Sequence, residues 1–241
     1  GLGEDGASSW GGELLRVRPE ASQRLGALRP LPQPGGDRAA REPWRMGAAA
    51  LHILGRPNEI AERFEGRGDV GLLAAMLERR VNAPESSSAG RLFDAACGLL
   101  NVTPVATHEA EAAMALEALV TKPRVLEGGW RIEANNTLDF SPLLGALTEM
   151  TPPEGADLFH GTLAAGLADW AARAAAPTDA AVAVSGGCIQ NAILRRELTA
   201  RLTDASLKVL YPKDAPANDG GLSLGQVYVA AARVRTDAKE V

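Results

Sequence analysis

Two glycine-rich turns in the last third of the 241-residue chain carry the residues best suited to chemistry. Ser185-Gly186-Gly187 follows a short β-branched run, and Asn218-Asp219-Gly220-Gly221 follows a second short strand pattern. A turn that leads from a strand into a helix presents backbone N–H groups and the positive helix end to an anion, above all to a phosphate. Glycine suits such a turn because a Cβ would block the close approach of the ligand. Asp219 adds a carboxylate that could bind a metal ion.

Both turns are expected to face one crevice, because the carboxyl ends of neighbouring parallel strands lie side by side. A phosphate at the first turn and a metal ion at the second would then lie within reach of each other. The residues alone leave a second interpretation open, in which both are ordinary strand-to-helix turns, since glycine doublets are weak signals.

A third candidate segment runs from Ser86 to Asp94. The hydroxyls of Ser86, Ser87 and Ser88 could cap a helix that begins at this point. Arg91 and Asp94 would lie one helical turn apart on the same face of that helix. They could form a surface ion pair that contributes only about 0.3–0.5 kcal/mol. Alternatively, Arg91 reaches an anionic substrate.

The histidines and cysteines do not form a recognisable site. His52, His108 and His160 lack the spacing of metal ligands, and we expect them to be capping or surface residues. Cys188 lies at a helix start that could stabilise a thiolate, but no His or Lys lies near it in sequence, which favours a small packed residue. With Cys97 as the only other cysteine, no disulfide framework or four-thiolate zinc site can form, and a reducing, cytoplasmic location fits.

Composition excludes several classes of protein. The chain is 46% hydrophobic and 23% charged, as in ordinary soluble proteins, and it has no apolar run long enough to span a membrane. A formal charge of −5 argues against a general nucleic-acid binder. Gly1, Gly3 and Gly6 match a dinucleotide-binding pattern, which we reject because no strand precedes it. Because the chain opens directly into this glycine-rich stretch, we expect that an N-terminal part of a longer protein is missing.

The remaining pattern predicts three regions. Residues 1–40 are a glycine- and proline-rich segment, 41–125 a layer of short amphipathic helices, and 126–241 an α/β lobe. In the lobe, strands at Ala181–Val184 and Lys208–Leu210 are each followed by a helix. That order predicts a parallel pair with a crossover helix.

Local signals place several boundaries. Pro43 suits the first turn of a helix, and Asp69 can cap another. Asn135-Asn136 can form the tight turn between two short strands. Pro152-Pro153 separates two further helices.

Taken together, the motifs resemble the C-terminal part of HypF, a family of carbamoyltransferases in [NiFe]-hydrogenase maturation. The implied fold is α/β, an ASKHA (actin-like ATPase/RNase H-like) lobe with parallel strand–helix units and a large helical insertion. It is also similar to the TsaD protein of tRNA threonylcarbamoyladenosine synthesis and to antibiotic O-carbamoyltransferases. The resemblance is carried, in order, by residues 3–6, Trp10-Gly11-Gly12-Glu13, Gly35-Gly36-Asp37, Glu42-Pro43-Trp44-Arg45, residues 87–95, Ser185-Gly186-Gly187 with Gln190-Asn191, and residues 218–226.

The resemblance implies a two-stage reaction. Carbamoyl phosphate and ATP would form a carbamoyl-adenylate elsewhere in the full protein, and this region would pass the carbamoyl group to the C-terminal Cys thiolate of HypE. The resulting thiocarboxamide would be dehydrated to give cyanide ligands for the active-site iron. The implied site residues are Ser185, Gly186, Gly187 and Asn191 for the nucleotide, Ser88, Gly90 and Asp94 across the cleft, Arg91 for the substrate, and Asp219 for the metal.

The sequence departs from the family at its beginning. The family's paired metal-binding histidines and its first phosphate-site Asp would lie upstream of Gly1. The complete protein would hold a divalent metal, iron or zinc, whereas we expect this chain alone neither to retain it nor to turn over. Two other functions remain open: a non-catalytic module that docks HypE, and an ASKHA kinase of another substrate.

Overall fold

The computed structural model describes residues 3, 9–18, 21–175 and 181–237 of the chain. Helices dominate these ranges, and the described strands are short and paired in four two-stranded sheets. The helices are α1 (Asp37–Arg41), α2 (Pro43–Ile53), α3 (Ile60–Arg63), α4 (Val70–Arg79), α5 (Ala89–Leu99), α6 (Glu111–Ala118), α7 (Ser141–Leu147), α8 (Pro152–Ala175), α9 (Ala192–Asp204) and α10 (Leu222–Asp237). The strands are β1 (Glu13–Val17), β2 (Ser22–Ala27), β3 (Leu31–Pro32), β4 (Glu85–Ser86), β5 (Arg131–Ile132), β6 (Leu138–Asp139), β7 (Val182–Ala183) and β8 (Val209–Leu210).

The residues predicted to start helices and form a turn are found at those positions. Pro43 lies in the first turn of α2, where its missing N–H costs no helical hydrogen bond. The Asp69 side chain accepts a hydrogen bond from the backbone N–H of Leu72 and caps α4. Asn136 has a φ of 63° in the turn of the β5–β6 hairpin, a conformation that Asn tolerates. The first glycine-rich motif lies mostly outside the described residues, since residues 1, 2 and 4–8 are not among them.

The close crossing of α2 and α5 organises the helical layer. A Cβ on Gly98 would lie 2.3 Å from the carbonyl oxygen of Pro43, and one on Gly47 would lie 2.8 Å from the carbonyl carbon of Gly98. Only glycine at both positions lets the two backbones approach so closely. Trp44 and Phe93, both about 1% exposed, fill the core beside this crossing. The crossing therefore fixes where α5 lies.

Helix α8 forms the other side of the core and is 24 residues long. It begins at Pro152, so Pro152-Pro153, which were expected to separate two helices, form the first turn of the second one, where proline is tolerated. Its buried residues include Phe159, His160 and Leu163, and α9 packs along it. No described helix is both long enough and apolar enough to cross a membrane.

The β7 and β8 strands form the predicted parallel pair, with Val182 opposite Val209, and α9 is the crossover helix between them. The carboxyl ends of both strands therefore point the same way. Each strand has only two paired residues, fewer than the sequence pattern predicted, and the turns that follow are correspondingly longer.

We predict that Gly98→Ala lowers the free energy of unfolding by about 2 kcal/mol, because the added methyl group forces α2 and α5 apart. Gly225→Ala is the matched control, since a Cβ on this exposed helical glycine would meet no atom within 4 Å. Its effect should stay within about 1 kcal/mol, and in the stabilising direction. Urea denaturation of both variants measures the difference, and equal stabilities would contradict the prediction.

Candidate functional site

The two glycine-rich turns lie side by side. The backbone N–H of Gly186 donates a hydrogen bond to the carbonyl oxygen of Ala217, at 2.6 Å. In the second turn, the Asn218 side chain accepts a hydrogen bond from the N–H of Gly220, at 3.1 Å. Asp219, between them, begins a short 3-10 turn and is exposed. The predicted convergence of the two turns is therefore present.

The first turn has an open side at Gly187. Gly186 has a φ of 108°, which favours glycine for conformational reasons. Gly187 has no such φ, and a Cβ placed on it would meet no atom of the described residues within 4 Å. Neither backbone conformation nor packing against those residues therefore requires glycine at position 187. The open space beside it is the kind of approach path that a ligand needs.

The start of α9 differs from the prediction. The 3-10 turn Gly187–Gln190 lies between Gly186 and α9, which begins at Ala192. The Glu117 carboxylate accepts a hydrogen bond from the N–H of Ala192 at 2.6 Å, and the Asn191 side chain accepts one from the N–H of Leu194 at 2.8 Å. The expectation that this helix end is free for an anion is therefore wrong, because side chains of the protein already neutralise it.

The Ser86 and Ser87 hydroxyls bind other parts of the chain and do not cap α5. Ser88 occupies the N-cap position, but its hydroxyl makes no hydrogen bond to the first turn, so the predicted capping is wrong. The Ser86 hydroxyl accepts a hydrogen bond from the N–H of Ser88 at 3.2 Å, and the Ser87 hydroxyl donates one to the Glu13 carboxylate. Glu13 also accepts a hydrogen bond from the N–H of Gly11 at 2.6 Å. These bonds fix the segment and leave the Ser88 hydroxyl uncommitted to the helix.

Arg91 and Asp94 form a buried pair, so the surface interpretation is wrong. Arg91 Nη2 lies 2.8 Å from Asp94 Oδ2, and the two side chains are 20% and 10% exposed. Burial raises the pKa of Asp94 to about 7, and the positive charge of Arg91 opposes that rise only in part. The contact between Arg91 Nη2 and Asp94 Oδ2 lacks hydrogen-bond geometry, so Asp94 Oδ2 is ion-paired but, like Arg91 Nε, it is buried without a hydrogen-bond partner in the described part of the chain. Buried polar atoms of this kind are normally paired, so the pair has bonding capacity to spare.

The first glycine-rich turn and the segment from Ser86 to Asp94 meet. Helix α5, which carries Arg91 and Asp94, packs against the 3-10 turn that begins at Gly187. Burial raises the pKa of the Cys188 thiol to about 11, and the negative charge of Asp94 contributes to the rise. The thiol is therefore a packed group and no activated nucleophile, as the sequence favoured. Gly90 lies in the first turn of α5, where a Cβ on it would lie 3.4 Å from Oγ of Ser88.

His160 contradicts the expectation of a capping or surface residue, because it is fully buried in α8. Its ring centroid lies 5.7 Å from that of Phe93, and its Nε2 lies 3.0 Å from Nδ2 of Asn191. Burial lowers the pKa of His160. Asn191 is 8% exposed, and both ends of its amide are in hydrogen bonds within the protein. One signal for this was present in the sequence, because His160 directly follows the apolar residues Leu158 and Phe159.

Asp219 does not belong to a complete set of metal ligands. Among the described residues, no group of three or more His, Cys, Asp and Glu side chains could hold a metal ion.

The buried Asp94 predicts a pH-dependent stability. Its folded pKa of about 7 lies above the ordinary value of 3.8, so the folded protein binds this proton more tightly than the unfolded chain. The stability that the proton contributes is complete below the unfolded pKa and is lost as the pH rises to about 7. Between about pH 5 and about pH 7.5 the loss is about 2 kcal/mol.

Asp94→Asn should remove this loss while keeping the size of the side chain. Urea denaturation at the two pH values gives the free energy of unfolding of the wild type and of the variant. The loss of this free energy between the two pH values is then compared between the two proteins. If both proteins lose the same stability over the interval, the Asp94 carboxyl does not titrate as proposed.

Comparison with known proteins relates the whole arrangement to one family. Residues 1–226 match the family model described as carbamoyltransferase, Kae1-like domain, second subdomain. The chain is 50% identical over 230 residues to carbamoyltransferase HypF from Rhizobium leguminosarum bv. viciae, covering 94% of the chain and 30% of that protein. It is 46% identical over 264 residues to carbamoyltransferase HypF2 from Cupriavidus necator, covering 97% of the chain and 33% of that protein.

Two solved structures share the fold. A full-length HypF in the phosphate- and nucleotide-bound form is 26% identical with a TM-score of 0.85, covering 97% of this chain and 32% of that one. The HypF of T. kodakarensis is also 26% identical with a TM-score of 0.85, covering 98% and 33%. The predicted ASKHA-type fold is thus confirmed. The chain spans about a third of the length of these relatives.

Proposed function

The chain belongs to the HypF family of carbamoyltransferases, and we propose that it forms one side of the site that holds a carbamoyl-adenylate. The observation that carries this proposal is the meeting of α5 with the turn at Gly187, where the ion pair of Arg91 and Asp94 has buried atoms without a hydrogen-bond partner among the described residues. A related full-length HypF of the same fold is described as bound to phosphate and nucleotide, which supports the proposal.

The site residues divide into two sides. On the turn side, the adenylate phosphate would lie against the backbone of Ser185, Gly186 and Gly187, since the open space at Gly187 admits a close approach. The Gly186 N–H already donates to Ala217, so Gly186 would shape the turn and not bind the phosphate through this group. On the α5 side, Ser88, Gly90 and Asp94 would contact the ribose, with the Asp94 carboxylate accepting from its hydroxyls. The Ser88 hydroxyl makes no hydrogen bond to the first turn of α5, and Asp94 Oδ2 has no hydrogen-bond partner among the described residues. Asn191 would act from within the protein, because its amide is already committed.

The transfer itself is a substitution at the carbamoyl carbon. The thiolate of the C-terminal Cys of HypE would attack that carbon, a C–S bond would form, and the C–O bond to the phosphate would break. AMP would leave with the electron pair. N–H donors at the turn and the Arg91 guanidinium would stabilise the growing charge on the phosphate. The thiocarboxamide would then be dehydrated elsewhere to give cyanide for the hydrogenase iron.

A divalent metal, iron or zinc, would polarise the phosphate of this intermediate when bound. Asp219 fits as one ligand, because it is an exposed carboxylate beside the turn at Gly186. The described residues do not form a group of three or more His, Cys, Asp and Glu ligands. Completing the coordination would therefore require ligands from outside the described residues.

Gly187→Ala tests the phosphate position. The experiment uses a chimera in which this chain replaces the matching third of the Rhizobium leguminosarum relative. We predict that Gly187→Ala weakens ADP binding about tenfold or more, because the methyl group occupies the space of the phosphate. Calorimetric titration with ADP measures the affinity.

The control for this variant is Gly225→Ala, since neither new Cβ meets an atom within 4 Å in the part of the chain that the structure describes. Both variants should melt like the parent chimera, and Gly225→Ala should keep its affinity for ADP. If Gly187→Ala binds ADP as tightly as the control, the adenylate lies elsewhere.

The chain by itself should neither retain iron or zinc nor transfer carbamoyl groups, because one carboxylate does not hold such an ion against dilution. Metal analysis of the purified chain, together with mass measurement of HypE after incubation with carbamoyl phosphate and ATP, tests both parts. One equivalent of bound metal, or a carbamoylated HypE, would contradict this prediction. A chimera that docks HypE without transfer would favour the docking module instead.

A further inference from the structure

His160 lies where the two sides of the proposed site meet. It projects from α8 and is fully buried. Its ring contacts Phe93, the neighbour of Asp94 on α5, and Phe159, with centroids 5.7 Å and 5.5 Å away. Its Nε2 lies 3.0 Å from Nδ2 of Asn191, the residue between the 3-10 turn and α9.

The hydrogen bonds around His160 allow a single position of the imidazole proton and a single orientation of the Asn191 amide. Nδ1 lies 2.8 Å from the carbonyl oxygen of Ala156, which only accepts, so Nδ1 carries the proton. Nε2 is then an acceptor, and it receives a hydrogen bond from Nδ2 of Asn191. The other end of that amide, Oδ1, accepts from the N–H of Leu194. Turning the amide over would place donor against donor at Leu194 and acceptor against acceptor at His160.

Packing alone does not explain an imidazole at this position. Edge-on contacts with Phe93 and Phe159 would be made equally by a phenyl ring. A buried imidazole must also have its polar atoms satisfied, which a phenyl ring avoids. What the imidazole adds toward the site is one acceptor, and that acceptor faces Asn191.

We propose that His160 is a positioning residue, whose Nε2 fixes the amide of Asn191 and thereby the path of the turn from Gly186 to Gln190. This inference rests on the proposed function, since that turn is where the adenylate phosphate would bind. Asn191 is extended, with φ −60° and ψ 113°, between the 3-10 turn and α9. A change in its orientation therefore moves the glycine turn relative to the helix.

Three variants separate hydrogen bonding from packing. His160→Phe keeps an aromatic ring and removes the acceptor. His160→Gln removes the ring and returns a carbonyl oxygen near the position of Nε2. Thr162→Val is the matched control, because Thr162 is equally buried in α8 and accepts a hydrogen bond from the N–H of Leu126, away from Asn191.

The test measures ADP affinity by calorimetry in the chimera. We expect His160→Phe to bind ADP about tenfold more weakly, and His160→Gln and Thr162→Val to stay within about threefold of the parent. If His160 only stabilised the fold, the affinity for ADP would fall in every variant whose melting temperature falls. Thr162→Val and His160→Phe would then lose affinity together. Should His160→Phe fail to fold, His160→Met, which also lacks the acceptor, takes its place.

Amide hydrogen exchange at Leu194 gives a second measurement without a ligand. Exchange should be faster in His160→Phe and close to that of the parent in His160→Gln and Thr162→Val. Parent-like ADP affinity in His160→Phe, or equal losses in His160→Phe and His160→Gln, would overturn the inference. If the parent chimera does not bind ADP, the proposed function fails, and the exchange at Leu194 still decides whether His160 holds Asn191.

Discussion

The close crossing of α2 and α5 is the constraint on which the candidate site depends. Two glycines, Gly47 and Gly98, allow the backbones to touch, and any larger residue would push α5 outward. Because α5 carries Arg91 and Asp94 at its other end, its position sets their burial and their contact with the turn at Gly187. Core packing at one end of the helix thus determines the electrostatics at the other end.

Burial determines the charge state and the hydrogen bonding of Arg91 and Asp94. Removing Arg91 and Asp94 from water costs free energy that their mutual attraction offsets only in part, and this is why the pKa of Asp94 rises. A ligand with hydroxyl and phosphate groups would supply the missing partners. The Asn191 amide, in contrast, has no free end for a ligand, because its Nδ2 donates to His160 and its Oδ1 accepts from the first turn of α9. The site therefore combines polar groups that are open to a ligand with others that only hold the backbone in place.

Much of the fold could be predicted from the sequence because its signals are local. Pro43, Asp69 and the Asn135-Asn136 turn act on residues within one turn of themselves, so their effects are visible in a short window. The parallel β7–β8 pair followed from the order strand–helix–strand, which has essentially one compact solution. The motifs likewise sufficed for the family, since they depend on residue order alone.

The tertiary structure decided which candidate groups are free and which are committed. Glu117 reaches the start of α9 from 75 residues away, and His160 reaches Asn191 from 31 residues away. No local pattern encodes such partners, because they meet only when separate helices pack. The sequence by itself determined the elements, the family and the two glycine turns. Packing determined the burial of Arg91, Asp94 and His160, because the surroundings of a side chain, and hence its charge state and hydrogen bonds, exist only once the core has formed.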